Sequence, residues 1–258
     1  MRTFGAVGAL LTVGFLASSV PTAAQGLTGD RISTDDGDLV VHPIHHGTFV
    51  MQWDGRTIYV DPAPRPGQEG SAAAAFNGLP APDIILITDI HSDHYHVPTL
   101  MDVRRPGVAV VGPQAVVELL PSNPLRANAY RLSHGRTIEV EGIEIEAIPM
   151  YNLTEGRLEY HERGRGNGYV LTMGGARVYI AGDTEDIPEM RELGDINLAF
   201  IPMNLPYTMS PEQAADAVRD FRPRIVFPYH YGESDVSEFV RLVGDDAGVE
   251  VRLRDWYP

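Results

Sequence analysis

The stretch Asp83-Ile84-Ile85-Leu86-Ile87-Thr88-Asp89-Ile90-His91-Ser92-Asp93-His94 decides how this chain is read. Its first half is an unbroken apolar run, the pattern of a strand buried on both faces. Its second half sets two imidazoles and two carboxylates close together, from Asp89 to His94. A rigid strand that empties into a loop of such side chains is a common way to build a metal site. A lone histidine is more often a satisfied surface or core residue; this density of ligand types does not suit that reading.

Working outward, strand signals dominate on both sides. Leu39–His46, Thr48–Trp53 and Arg56–Val60 read as strands, with Asp54-Gly55 as a tight hairpin turn and Val50, Trp53 and Ile58 at or near the core. Asp61-Pro62 closes the third of these. Residues 62–82 are rich in Pro, Gly and Ala and read as a loop with a short helix near Ala72–Phe76. Helices are expected at Val97–Val103 and, after Pro113, at Gln114–Leu120. The second half repeats the alternation. Thr137–Val140, Ile143–Ile148, Tyr169–Met173, Ala176–Ala181, Ile196–Ile201, Ile225–Pro228 and Val249–Leu253 read as strands. Ile187–Leu193, the Ser210-capped segment to about Asp220, and Asp235–Val243 read as helices. Two strand blocks with helices outside them predict an α/β fold, a four-layer αββα sandwich over residues 39–258.

The N-terminal residues read differently. Arg2, the apolar run Ala6–Val20 and the small residues Thr22-Ala23-Ala24 have the pattern of a signal peptide spanning residues 1–24. The run is too short for a membrane span, so no stable membrane insertion is expected after cleavage, and the protein is expected to be periplasmic or secreted. Residues 25–38 read as a flexible leader. The chain has no cysteine, which excludes disulfides and thiolate ligands, so a metal must be held by His and oxygen donors. Its 35 acidic against 20 basic residues, net charge −15, disfavour binding to nucleic acid.

Further ligand-type residues follow other strands. Asn152 follows Ile145–Met150, Asp183 stands in Gly182-Asp183-Thr184, and His230 stands in Phe227-Pro228-Tyr229-His230. Each strand would present its residue at one edge of the sheets. In this order the pieces resemble the metallo-β-lactamase fold superfamily of metal-dependent hydrolases, over roughly residues 40–255. The family signature is His-x-His-x-Asp-His; here it is Asp89-Ile90-His91-Ser92-Asp93-His94, with Asp at the first position. The family's middle histidine falls at Asn152, a second departure.

The resemblance implies one metal held by Asp89, His91 and Asp183, with Asn152 as a weak neighbour. It implies another held by Asp93, His94, Asp183 and His230, with Asp183 bridging. Zn²⁺, two per chain, is the metal expected first; the added oxygen donors also suit Mn²⁺ or Fe²⁺. Two such ions generate a hydroxide at neutral pH, to be positioned by Asp93. Asp61 matches a carboxylate that stands behind the metal loop in the family. Beyond these, His46 is expected to contact substrate or to be a bonded strand histidine. His161, in a polar loop, is expected to act as general acid or to contact substrate, and Asn152 is a second candidate for that contact. Tyr207 is expected to stabilise an oxyanion. His96 and His134 read as surface residues. The expected activity is hydrolysis of an ester, lactone or phosphodiester of a small molecule. The alternatives are a non-catalytic metal-binding protein of the same fold and a β-lactamase-like amide hydrolase.

Overall fold

A computed structural model describes Met1 and residues 27–122 and 124–258. Apart from Met1, the expected signal segment lies outside the described residues. The first sheet runs in chain order: β1 (Asp30–Thr34), β2 (Gly37–His45), β3 (Thr48–Trp53), β4 (Arg56–Val60), β5 (Ile84–Leu86), β6 (Ala109–Gly112) and β7 (Ala129–Arg131). The second comprises β8 (Thr137–Val140), β9 (Ile143–Met150), β10 (Gly166–Met173), β11 (Ala176–Ile180), β12 (Leu198–Pro202), β13 (Ile225–Tyr229) and β14 (Glu250–Val251), again in chain order. Each sheet begins with antiparallel hairpins and ends with parallel pairing, from β4 onward in the first and from β11 onward in the second.

Period two explains how strands with continuous apolar runs pack. Ile84 and Leu86 of β5 face the second sheet, while Ile85 faces the helices outside. Leu198 and Phe200 of β12 face inward and Ala199 and Ile201 outward. Two helices, α1 (Val97–Val103) and α2 (Gln114–Leu119), close the outer face of the first sheet with Leu100 and Val116. The outer face of the second is closed by α3 (Pro188–Arg191), α4 (Pro211–Phe221) and α5 (Val236–Val243), through Met190, Val218 and Phe239. The result is the expected αββα sandwich. At its centre Phe49 of β3 stacks on Phe200 of β12, 4.1 Å between ring centroids.

Local chemistry sets the joints. Asp54 and Gly55 both have positive φ, 45° and 72°, as the tight hairpin turn demands. Ser210 and Gln213 form a reciprocal capping box at the start of α4. One expectation differs. Residues 30–38 fall in the stretch read as a leader, yet Asp30–Thr34 pairs with Gly37–Val41 as a hairpin. Ile32 is buried against the inter-sheet core, and Arg252 and Arg254 hold Asp30 from the far end of the chain. A polar strand is kept in the sheet by these long-range contacts, which carry no local apolar signal. No described helix is long and apolar enough to cross a membrane.

Because Phe200 fills the contact between the sheets, Phe200→Ala is expected to cost about 3–5 kcal/mol of folding stability. Urea unfolding followed by circular dichroism measures this.

Candidate metal centre

The carboxyl ends of the strands converge on one edge of the sandwich. β4 runs into Asp61, β5 into Thr88 and Asp89, β11 into Asp183 and β13 into His230. Open α/β sheets place ligands at this edge.

Asp61 organises the centre without entering it. It is fully buried, and its carboxylate accepts the Thr88 N–H (2.8 Å), the Thr88 hydroxyl (2.6 Å) and Nδ1 of His94 (2.9 Å). The bond to Nδ1 fixes the ring so that Nε2 faces Asp183, 3.2 Å from its Oδ2. Nε2 of His230 lies 3.3 Å and Nε2 of His161 3.4 Å from the same oxygen. Asp93 Oδ2 lies 3.4 Å from Nε2 of His230 and 3.0 Å from Nε2 of His46. Three groups therefore present ligand atoms close enough to share an ion: His94, Asp183 and His230; His46, Asp93 and His230; and Asp89, His91 and His161.

The donor set passes a simple test of fit. Nε2 of His94, His161 and His230 and Oδ1 of Asp183 are buried with no hydrogen-bond partner. Buried polar atoms are rarely left unpaired, and each costs about 1–3 kcal/mol when it is. Three such nitrogens within 3.4 Å of one carboxylate, whose other oxygen is also unpartnered, are what a divalent cation would satisfy.

Electrostatics point the same way. Burial alone would raise the Asp183 carboxyl, but His230 and His94 hold it well below the usual range. Asp93 is lowered too, its burial outweighed by His94, His230 and His46. His94 is raised against its burial by Asp183, Asp93 and Asp61, so its ring must give up a proton before it ligates. Burial and the nearby His230 push His46 down to about 4 despite Asp93, so its ring is neutral at pH 7. The carboxylates are thus held as anions, the form in which they ligate a metal.

One expected placement changes. Asn152 is not turned to the cluster as a ligand or substrate contact. Its Nδ2 donates to the carbonyls of Arg157 (3.0 Å) and Tyr207 (2.8 Å), and its Oδ1 stands 3.3 Å from Nδ1 of His161. His161 fills the place instead, its Nε2 aimed at Asp183 and Asp89. The loop that brings it there folds on Glu185, a buried carboxylate missed in the sequence, which accepts the N–H groups of Leu153 and Thr154, both at 2.7 Å, and pairs with Arg157 at 2.9 Å. His46 takes the other of its two expected places, a bonded histidine just after β2. It does not line the cavity; its ring is sealed between Asp93 and the Tyr257 hydroxyl, 2.9 Å from Nδ1, and lies tilted against His230, 3.7 Å between centroids.

The cavity above the cluster, about 350 Å³, is walled by His91, Asp93, His161, Asp183 and His230. Its outer rim is Pro66, Asn204 and the edge-to-face pair Tyr160 and Tyr207. His96 caps α1 and His134 bonds the Gly166 carbonyl, both away from the cavity.

Residues 41–230 match the family model described as the beta-lactamase superfamily domain. A UPF0173 metal-dependent hydrolase of Thermococcus onnurineus is 35% identical over 190 residues, which span 69% of this chain and 82% of the relative. A protein from Parabacteroides distasonis, assigned as a metal-dependent hydrolase, superposes with a TM-score of 0.79 at 39% identity, over 88% of this chain and 98% of its own. A metallo hydrolase from Ignicoccus hospitalis shares the fold, with a TM-score of 0.70 at 24% identity over 84% of this chain and 94% of its own.

Gly47 lies directly beneath the two imidazoles: an added Cβ would sit 3.1 Å from Cδ2 of His230 and 3.4 Å from Cε1 of His94. Gly47→Ala is therefore expected to press on the His230 ring, which must shift, and to weaken divalent-ion binding about tenfold. Isothermal titration of the metal-free variant against the parent protein measures the loss.

Proposed function

The chain belongs to the beta-lactamase superfamily and is a metal-dependent hydrolase, and from that premise we propose that it cleaves an uncharged ester or lactone of a small molecule, with zinc as the working metal and phosphodiesters as poorer substrates. The observation that carries the reading is the set of unpartnered atoms of His161, Asp183 and His230 at the cavity wall, with the unpartnered Nε2 of His94 beside Asp183. Imidazole and carboxylate donors in this proportion suit Zn²⁺. When bound, such an ion supplies acidification of a water and polarisation of the bond under attack.

The protein's own groups divide the remaining work. His94, Asp183 and His230, with Asp93, hold the principal ion. Asp93 Oδ2 is held between His46 and His230 at the cavity wall, so it orients the attacking water. His161 serves as a ligand rather than as a general acid, because its free Nε2 faces Asp183. Tyr207 stands at the mouth with its side chain half-exposed, where its hydroxyl can meet the oxyanion.

The preference for an uncharged substrate rests on the walls. No Arg or Lys lines the cavity among the described residues, and the sequence contains no lysine at all. A phosphodiester would enter with no side-chain cation to meet its second oxygen. The aromatic rim of Tyr160 and Tyr207 offers instead a face for an apolar or aryl group. The proposal includes export from the cytoplasm, supported by the signal-like residues 1–24.

A chelator-stripped and zinc-restored protein is expected to hydrolyse aryl esters and lactones faster than bis-aryl phosphodiesters. No cleavage of any of these by the zinc-loaded protein would overturn the reading. Asp93→Asn is expected to keep the fold and lose about 10²–10⁴ in kcat, read by steady-state kinetics alongside circular dichroism.

A further inference from the structure

The ligand groups at the cavity floor are not equivalent. His94, Asp183 and His230 carry no side-chain cation, and their inward atoms are unpartnered. Asp89 and His91 are already engaged. Arg165 lays its guanidinium along Asp89, with Nε 3.3 Å from Oδ1 and Nη2 3.1 Å from Oδ2. The same Nη2 lies 3.2 Å from Nε2 of His91 and also donates to the Tyr160 carbonyl. Asp89 Oδ2 is shared with Nδ1 of His91 at 2.8 Å. Of this group only Nε2 of His161 is free.

The placement of Arg165 is built into the backbone. The next residue, Gly166, packs so closely that an added Cβ would meet the Thr88 carbonyl at 3.0 Å, and the Asn167 N–H donates to that same carbonyl at 2.9 Å. Arg165 is thereby fixed against the end of β5, from which Asp89 emerges, and its side chain is 19% exposed. A guanidinium is charged at every working pH, and its planar fork matches a carboxylate at two points. It therefore occupies the anionic charge that a second divalent ion would need, and it repels an ion placed beside it.

Resting on the metal-dependent reading above, we infer that Arg165 is a fixed internal cation that competes for the metal position at Asp89, His91 and His161. One ion is held tightly by Asp93, His94, Asp183 and His230. A second enters at Asp89, His91 and His161 only weakly, because it must displace the guanidinium.

Titration of the metal-free full chain with Zn²⁺, with bound metal counted by mass spectrometry, tests this. The expected result is one equivalent bound at least about tenfold more tightly than the second. Arg165→Gln is expected to tighten the second equivalent about 10–100-fold and leave the first unchanged. Arg165→Lys, which keeps the charge, is expected to leave the second weak. Two equally tight equivalents in the parent protein, or an Arg165→Gln variant whose second equivalent is unchanged or weaker, would overturn the inference while leaving the metal-dependent reading intact. A parent protein that binds no zinc overturns both. Should Arg165→Gln not fold, Asp89→Asn decides: the first equivalent keeps its affinity if the inference holds, and a tenfold loss sinks it.

Discussion

The hydrogen bonds that the buried Asp61 carboxylate accepts from Thr88 and His94 join the scaffold to the chemistry. Asp61 stands where β4 ends and Thr88 where β5 ends, so the carboxylate ties two parallel strands at their carboxyl edge. The same group fixes the tautomer of His94. Burial pushes the Asp61 carboxyl up, and the donors from His94 and Thr88 oppose that. A buried carboxylate with three donors is tolerable; without them it would be an uncompensated charge. The tie between the ends of β4 and β5 and the direction of the His94 ring both rest on this one arrangement.

The centre is assembled at a cost that the rest of the molecule offsets. His46, Asp61 and His230 all adopt left-handed backbone, with φ of 50°, 44° and 46°. For residues other than glycine this costs about 1–2 kcal/mol each. The unpartnered imidazole and carboxylate atoms add to that. Three apolar layers, one between the sheets and one beneath each set of helices, supply the compensating burial. Strained backbone and unpaired polar atoms coincide here at the site, as expected where geometry is fixed for function.

Much of this was legible in the chain because it rests on local pattern. The apolar run from Ile84 to Ile87 announces a strand buried on both faces, and Asp54-Gly55 and Ser210-Pro211-Glu212-Gln213 announce a turn and a helix start. Asp89, His91, Asp93, His94, Asp183 and His230 could be picked out because each follows a recognisable strand. His161 and Asn152 exchanged parts because spacing alone favours the residue nearest the strand end. Which of the two faces the centre depends on the loop folding back on Glu185, a contact 31 and 32 residues away in sequence. β1 was hidden for the same reason, since its partners include Arg252 and Arg254, more than 200 positions later. Arg165 looks like one more solvated arginine until the third dimension sets it against Asp89.

His46 holds Asp93 from one side and is itself held by Tyr257, 211 positions away in sequence. A contact of that span closes one of the longest loops among the described residues, and its entropy must be met before the contact contributes. The order of events in folding follows from this. Both sheets can pair from largely sequential neighbours, whereas the support behind Asp93 is completed only when the residue-250s segment docks beside His46. A partly folded chain can therefore contain every candidate ligand and both sheets, yet leave Asp93 unrestrained.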